Sequence, residues 1–143
     1  MNQILDFVYS GWTYWQFKKY QDITTTTRPA TAESFYTDDG ELEINKVRTL
    51  SRTYAQAIAG QPISMDFDSV TFRFELTFNI NTDIHQPTIV YLNKKLNYPF
   101  GQDINISPQD SMIWNATTSN YYEFLPALST KNNTKITIII YAL

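Results

Sequence analysis

The sequence contains no cysteine and a single histidine, and these two absences exclude several kinds of chemistry. Without cysteine there are no disulfides, no thiolate zinc sites and no cysteine nucleophiles. The lone His85 excludes any metal motif that is built from two histidines. We therefore expect neither a metal nor another cofactor, while the redox compartment stays open because many secreted domains also lack cysteine.

Charge and long apolar runs are also scarce. Only 17% of the residues are charged and the net charge is −3, so the chain has no basic surface of the kind that binds nucleic acid. No apolar run approaches the length of a membrane span. Residues 1–9 lack a basic region and carry Asp6 within their short apolar stretch, so they do not resemble a signal peptide.

Aromatic residues, in contrast, are abundant. They make up 15% of the 143 residues, which is a length sufficient for one domain or for a domain plus a fragment. Tyrosine and phenylalanine favour β-structure, and they also leave aromatic surface for ligands. The composition therefore predicts a mainly β protein with a packed core.

The C-terminal part, residues 65–143, has the pattern of antiparallel β-strands. In residues 71–78, apolar and polar side chains alternate strictly, which indicates one buried and one solvated face. Ile138–Ile140 are consecutive, which suits a central strand buried on both faces, and Trp114 is predicted to be a core residue. Further strands are predicted at 88–92, 103–106, 111–115 and 134–142, and this spacing indicates a sandwich.

The N-terminal part has a different organisation. Residues 11–17 are rich in aromatic and β-branched side chains and predict a strand. A long polar connection, 18–40, leads to a predicted helix at 41–59, where Asp38 and Glu41 have the spacing of a capping box. The apolar residues at helical spacing are Ile44, Val47, Leu50, Tyr54 and Ile58.

The helix is predicted to stop at Gly60 and Pro62. A single strand, a loop and a helix do not make a domain. They either join the sandwich or form the last strand–helix unit of a larger α/β assembly.

Four segments together resemble the end of the catalytic barrel in glycoside hydrolase family 5. They are GWTYWQFK at 11–18, QDITT at 21–25, ESFY at 33–36 and KVRTLSRTYAQAIAG at 46–60. The similarity is greatest to endoglycosylceramidase-like and glucosylceramidase-like members. The resemblance implies a terminal strand and helix of a (β/α)8 barrel at 1–60, followed by a β-sandwich at 61–143.

The same resemblance implies where a sugar would bind. The C-terminal ends of barrel strands carry the active site, and the family places a tryptophan there beneath the sugar. Trp15 matches this position best, because it lies nearest the end of the predicted strand. Polar contacts to the sugar are then assigned to Gln16, Lys18, Tyr20 and Asp22.

The catalytic residues of such an enzyme are not expected in this chain. Retaining glycosidases use two carboxylates, which in this family lie on earlier barrel strands. The family's acid/base residue lies in an Asn-Glu pair, and the chain contains no Asn-Glu dipeptide. A whole barrel also needs about 250 residues. We therefore expect an N-terminal barrel chain or segment to supply both glutamates and a carbohydrate or glycolipid to be the substrate.

A second interpretation remains open at this point. The aromatic strand could complete the sandwich sheet, and the chain would then be a non-catalytic module that binds carbohydrate or protein. Glycosylation motifs begin at Asn105, Asn115 and Asn132, and they give weak support to a secreted or lysosomal location.

Overall fold

The computed structural model describes residues 13–14, 17–18, 34–117 and 120–143. The chain divides into two compact units with the boundary between Ser51 and Arg52. The N-terminal unit comprises the described residues up to Ser51, and the sandwich unit comprises Arg52–Leu143. The domain boundary predicted from the sequence lies later, between residues 60 and 61. The assignment of the first segment to a catalytic barrel stays a prediction.

Within the described residues of the N-terminal unit there is one helix, α1 (Ile44–Leu50), which is much shorter than the predicted helix at 41–59. The prediction is wrong at the C-terminal end because Ser51 already has an extended backbone and the residues after it enter a sheet. The capping box is also wrong: Glu43 is the N-cap and makes no side-chain capping bond. Asp38 and Glu41 instead belong to a turn that precedes the helix.

The predicted strand at 11–17 falls partly outside the described residues. Thr13, Tyr14 and Phe17 are described, and they do not lie in a strand.

As far as the structure describes it, the sandwich unit consists of eight strands in two four-stranded antiparallel sheets, which confirms the predicted fold class. The first sheet has the order β1-β4-β7-β6 and the second has the order β2-β3-β8-β5. A short helix, α2 (Lys94–Asn97), connects β4 to β5. The strands are β1 (Tyr54–Ala57), β2 (Gly60–Asp68), β3 (Arg73–Ile80), β4 (Thr88–Tyr91), β5 (Gln102–Ser107), β6 (Met112–Ala116), β7 (Tyr121–Pro126) and β8 (Lys135–Ala142).

The chain passes from the first sheet to the second at Ala59, whose N–H donates to Thr88 Oγ1 at 2.9 Å. Gly60 and Pro62, predicted as helix stop signals, are instead the start of β2. Proline is tolerated there because β2 is an edge strand, and its register shifts between Pro62 and Ser64.

The core lies between the sheets and is built mainly by β3 and β8. The buried face predicted for β3 is confirmed, because Phe74, Leu76 and Phe78 are fully buried, but Thr77 on the face predicted to be solvated is also buried. Each of the three apolar residues pairs in register with a fully buried isoleucine of β8. β8 is central, as predicted, but Thr137 and Ile139 on its other face are only half-buried.

Trp114 corrects another prediction, since it is 45% exposed and not a core residue. It lies on β6, which is an edge strand, so only part of its ring is covered. The centre of its ring lies 5.6 Å from that of Tyr122, which is buried. Local sequence does not predict that a strand lies at the edge of a sheet, because the burial of its side chains depends on whether another strand lies next to it.

Tyr98 makes the stability of the sandwich depend on pH. It is 3% exposed, and its hydroxyl lies 2.7 Å from Thr53 Oγ1. Burial raises the pKa of Tyr98 from 10.0 to about 12, and the hydrogen bond to Thr53 offsets this only in part. The neutral phenol is therefore favoured in the folded state.

We expect the free energy of unfolding to fall between about pH 10 and pH 12, because the unfolded chain then loses the Tyr98 proton while the folded chain keeps it. The loss from this group is about 2–3 kcal/mol and is absent below about pH 10. Tyr98→Phe should cost about 1 kcal/mol at neutral pH through the lost hydrogen bond. It should also make the alkaline decline shallower, as measured by urea unfolding at several pH values. An equally steep decline in the variant would contradict this assignment.

Candidate functional site

Four of the five residues predicted to contact a sugar lie outside the described residues: Trp15, Gln16, Tyr20 and Asp22. The fifth, Lys18, is described and exposed. Its Nζ lies 5.7 Å from the centre of the Tyr36 ring, within the range of a cation–π contact. The roles of all five residues therefore stay predictions, and the described geometry concerns their immediate neighbours.

Those neighbours form an aromatic cluster, defined here as Tyr14, Phe17, Phe35 and Tyr36. The ring centres of Tyr14 and Phe35 are 5.1 Å apart, and that of Phe17 lies 5.5 Å from Tyr36 and 6.1 Å from Phe35. The Phe35 N–H also donates to the Phe17 carbonyl at 3.1 Å. The aromatic cluster thus joins the residues on both sides of position 15 to the segment that leads into α1.

Polar contacts fix the segment that carries Phe35 and Tyr36. Ser34 is fully buried, and its Oγ accepts the Tyr36 N–H at 3.0 Å. Its carbonyl accepts a hydrogen bond of 2.6 Å from Lys46 of α1, which also pairs with Glu43 at 3.0 Å. The helix therefore holds one half of the aromatic cluster in position.

The carboxylates of this unit do not form a hydrolytic site in the part of it that the structure describes. Asp38, Asp39 and Glu41 are exposed in or beside the turn, and Glu43 is paired with Lys46. Exposed carboxylates in a turn do not form the enclosed site in which a glycosidase holds its substrate between two carboxyl groups. Across the described ranges of the chain, no group of three or more His, Cys, Asp or Glu residues could hold a metal ion.

The structure also contains a feature that the sequence analysis missed, a tyrosine ladder on the outer face of the first sheet. Tyr54 pairs with Tyr91 and Tyr91 with Tyr121, and both pairs of ring centres are 5.3 Å apart. Burial, and to a smaller extent the neighbouring tyrosines, raises the pKa of both Tyr54 and Tyr91. The ladder was missed because Tyr54 was assigned to a helix.

The three glycosylation motifs all begin at exposed residues. Asn105 lies on β5 and Asn115 on β6, and Asn132 lies in the turn before β8. Both strands are edge strands, so one side of each has no neighbouring strand. No helix in the described ranges is long and apolar enough to cross a bilayer.

Comparison with known proteins identifies similar sequences and folds. Residues 52–140 match the glycoside hydrolase family 5 C-terminal domain. An endoglycoceramidase from Cyanea nozakii is 34% identical over 109 residues, which are 73% of this chain. An endoglycoceramidase from Hydra vulgaris is 30% identical over the whole chain.

Among solved structures, endo-glycoceramidase II from Rhodococcus sp., determined as a complex with ganglioside GM3, has the same fold with a TM-score of 0.55. The alignment has 23% identity and covers 78% of this chain but 22% of that one. The chain likewise spans 21% and 26% of the two endoglycoceramidase sequences. The similarity therefore concerns about a quarter of each larger protein.

Proposed function

Because the chain belongs to the glycoside hydrolase family 5 C-terminal domain family, we propose that it is the C-terminal part of a retaining β-glycosidase. The substrate would be a glycolipid or a related β-glucoside, in keeping with the endoglycoceramidases that it resembles. The chain would not be catalytic alone, because both glutamates would come from an upstream barrel. Its own contribution would be one wall of the sugar cleft and a stabilising sandwich.

The observation that carries this proposal is the apolar stripe of α1, which has no buried residue. Ile44 is 44% exposed, and Val47 and Leu50, on the same face, are only half-buried. An amphipathic helix normally gains its stability by burying such a stripe against a core. Since most of the length of the relatives lies outside the match, we assign the covering surface to the rest of the barrel.

The aromatic cluster supports the second element of the proposal, the aromatic wall. Trp15 would stack on the apolar face of a pyranose ring, and the neighbouring aromatic rings would hold the tryptophan in place. Lys18, exposed and close to Tyr36, would reach the hydroxyl groups of the sugar. Gln16, Tyr20 and Asp22 would add further polar contacts.

Purification of the native material with an antibody against the 143-residue chain tests the proposal. The antibody should recover a polypeptide, or a tightly bound pair, about four times as long as this chain. That material should release sugar from lactosylceramide or glucosylceramide in detergent micelles, whereas the 143-residue chain alone should release none. A lone chain of 143 residues that behaves as a monomer would favour the alternative, a non-catalytic binding module.

Two matched variants of the native-length protein sharpen the same experiment. Val47→Asp places a charge on the apolar stripe and should weaken the association with the barrel and lower the activity at least about tenfold. Thr49→Asp places the same charge on an exposed position of α1 and should leave the activity nearly unchanged. Equal activity of the two variants would contradict the docking of the helix.

The same purified material tests a location. We propose that the protein enters the secretory route, as a secreted or lysosomal protein, because the glycosylation motifs at Asn105 and Asn115 begin at exposed residues. Its mass should fall when N-linked glycans are removed enzymatically. An unchanged mass would count against this location.

A further inference from the structure

An open cavity of about 550 Å³ lies at one end of the second sheet. It is formed where β2 begins, where β3 ends and where the turn before β8 folds back. Its volume falls within the range of small-molecule sites, roughly 300–1,000 Å³. We call it the amide cavity, because five of its lining residues are amides: Gln61, Asn79, Asn81, Asn132 and Asn133.

Backbone hydrogen bonds hold the walls of the amide cavity in place. The Ile80 N–H donates to the Thr134 carbonyl at 3.0 Å, and the Asn133 N–H donates to the Ile80 carbonyl at 2.8 Å. The Asn81 N–H donates to the Ala59 carbonyl at 3.0 Å. These bonds tie three separate segments together, so the cavity is formed before any ligand arrives.

Two of the amide side chains are oriented by the backbone. Asn132 Oδ1 accepts from the N–H groups of Thr82 at 3.1 Å and Asn133 at 3.0 Å. Asn81 Oδ1 accepts from the Asp83 N–H at 3.0 Å. Because each carbonyl oxygen is engaged, the orientation of each amide plane is fixed, and the NH2 group is the part that remains to donate to a ligand.

The lining has a chemistry that selects a class of ligand. Every polar side chain in the lining is an uncharged amide. A charged ligand would lose water there without gaining a partner of opposite charge, so the lining disfavours both anions and cations. A side-chain amide can donate one hydrogen bond and accept another in the same plane, and two neighbouring hydroxyl groups of a sugar can complement both. Pro62 and Ile84 add apolar surface on which the C–H face of a sugar ring can lie.

We infer that the amide cavity binds a neutral sugar, as a carbohydrate site on the sandwich itself. Gln61 and Asn79 face each other across β2 and β3, so both amides can reach one ring. An open site with a few amide contacts should bind in the millimolar range. This inference does not depend on the proposed glycosidase, because all the lining residues lie in the sandwich unit.

Titration of the isotope-labelled, bacterially produced 143-residue chain with lactose, cellobiose and N-acetylglucosamine, followed by two-dimensional NMR, tests the inference. At least one of these sugars should shift the amide signals of residues 79–81 and 132–133 in a saturable manner. Glucuronate, which carries a charge, should bind no more tightly than the neutral sugars. Absence of shifts with all three neutral sugars, or shifts confined to other residues, would overturn the inference.

Matched variants separate binding from folding. Gln61→Ala and Asn79→Ala should each weaken the binding about tenfold while leaving the dispersion of the NMR spectrum intact. Gln109→Ala serves as the control, because Gln109 is exposed in a different cavity of about 260 Å³. Equal weakening by the control would overturn the assignment of the site. If Asn79→Ala unfolds the chain, the binding measured for Gln61→Ala still tests the site, because Gln61 is exposed.

Discussion

Replacing Phe74 with alanine should lower the free energy of unfolding of the sandwich by about 3–5 kcal/mol. Phe74 is fully buried between the two sheets, and it pairs in register with Ile140, which is also fully buried. Removal of the ring loses its transfer free energy and leaves a cavity that strands on both sides prevent from closing. Since a whole domain is stable by only about 5–15 kcal/mol, this single change would remove a large part of the total.

Phe100→Ala is the matched control for this prediction. Phe100 lies between α2 and β5 and is 86% exposed, so its removal deletes the same atoms without a cavity. The control should change the free energy of unfolding by less than about 0.5 kcal/mol. Urea unfolding of the 143-residue chain, followed by circular dichroism, measures both. A Phe74→Ala cost as small as that of the control would mean that β3 does not pack as described.

The burial of Phe74 can be predicted from the sequence, because the pattern that indicates it lies within a single strand. In β3, apolar and polar residues alternate over a whole strand, and the period of two assigns each side chain to a face without knowledge of the partner strand. The central position of β8 was likewise predictable, because three consecutive isoleucines are costly to leave in solvent.

The end of α1 could not be predicted from the same kind of signal. Tyr54 continues the helical spacing of Leu50, so periodicity alone extends the helix into β1. In the fold, Tyr54 and Ala55 pair with Tyr91 and Val90 of β4. Those partners are more than thirty residues away in the sequence, and a local pattern contains no information about them.

The candidate sites show the same contrast. Trp15 and Lys18 are predicted as sugar contacts through a resemblance of contiguous segments, which needs no tertiary information, and their roles stay predictions. The tyrosine ladder and the amide cavity depend on register and on a close approach of two strands, respectively. In the sequence, nothing connects the asparagines at 79, 81, 132 and 133, of which only Asn132 belongs to a recognised motif, and it is the fold that brings them together.

Gly60→Ala should be the most damaging of the glycine substitutions in the sandwich. Gly60 is the first residue of β2 and pairs with Ile80, and a Cβ atom built on it would lie 2.1 Å from the Asn79 carbonyl oxygen. That contact is with backbone, so no side-chain rotation relieves it. Separation of the two strands would also cost a hydrogen bond. The Asn81 N–H donates to the carbonyl of Ala59, the residue before Gly60, at 3.0 Å.

We expect Gly60→Ala to lower the free energy of unfolding by about 3 kcal/mol or more, since it forces a shift of buried backbone. Gly101→Ala is the comparison: its φ of +114° strains an alanine, but the added Cβ meets only Leu143 Cδ1 at 3.4 Å. The comparison should cost about 1–2 kcal/mol. Urea unfolding of both variants shows which one loses more free energy of unfolding. If Gly60→Ala proves the milder change, β2 and β3 do not approach each other at the amide cavity as closely as the fold requires.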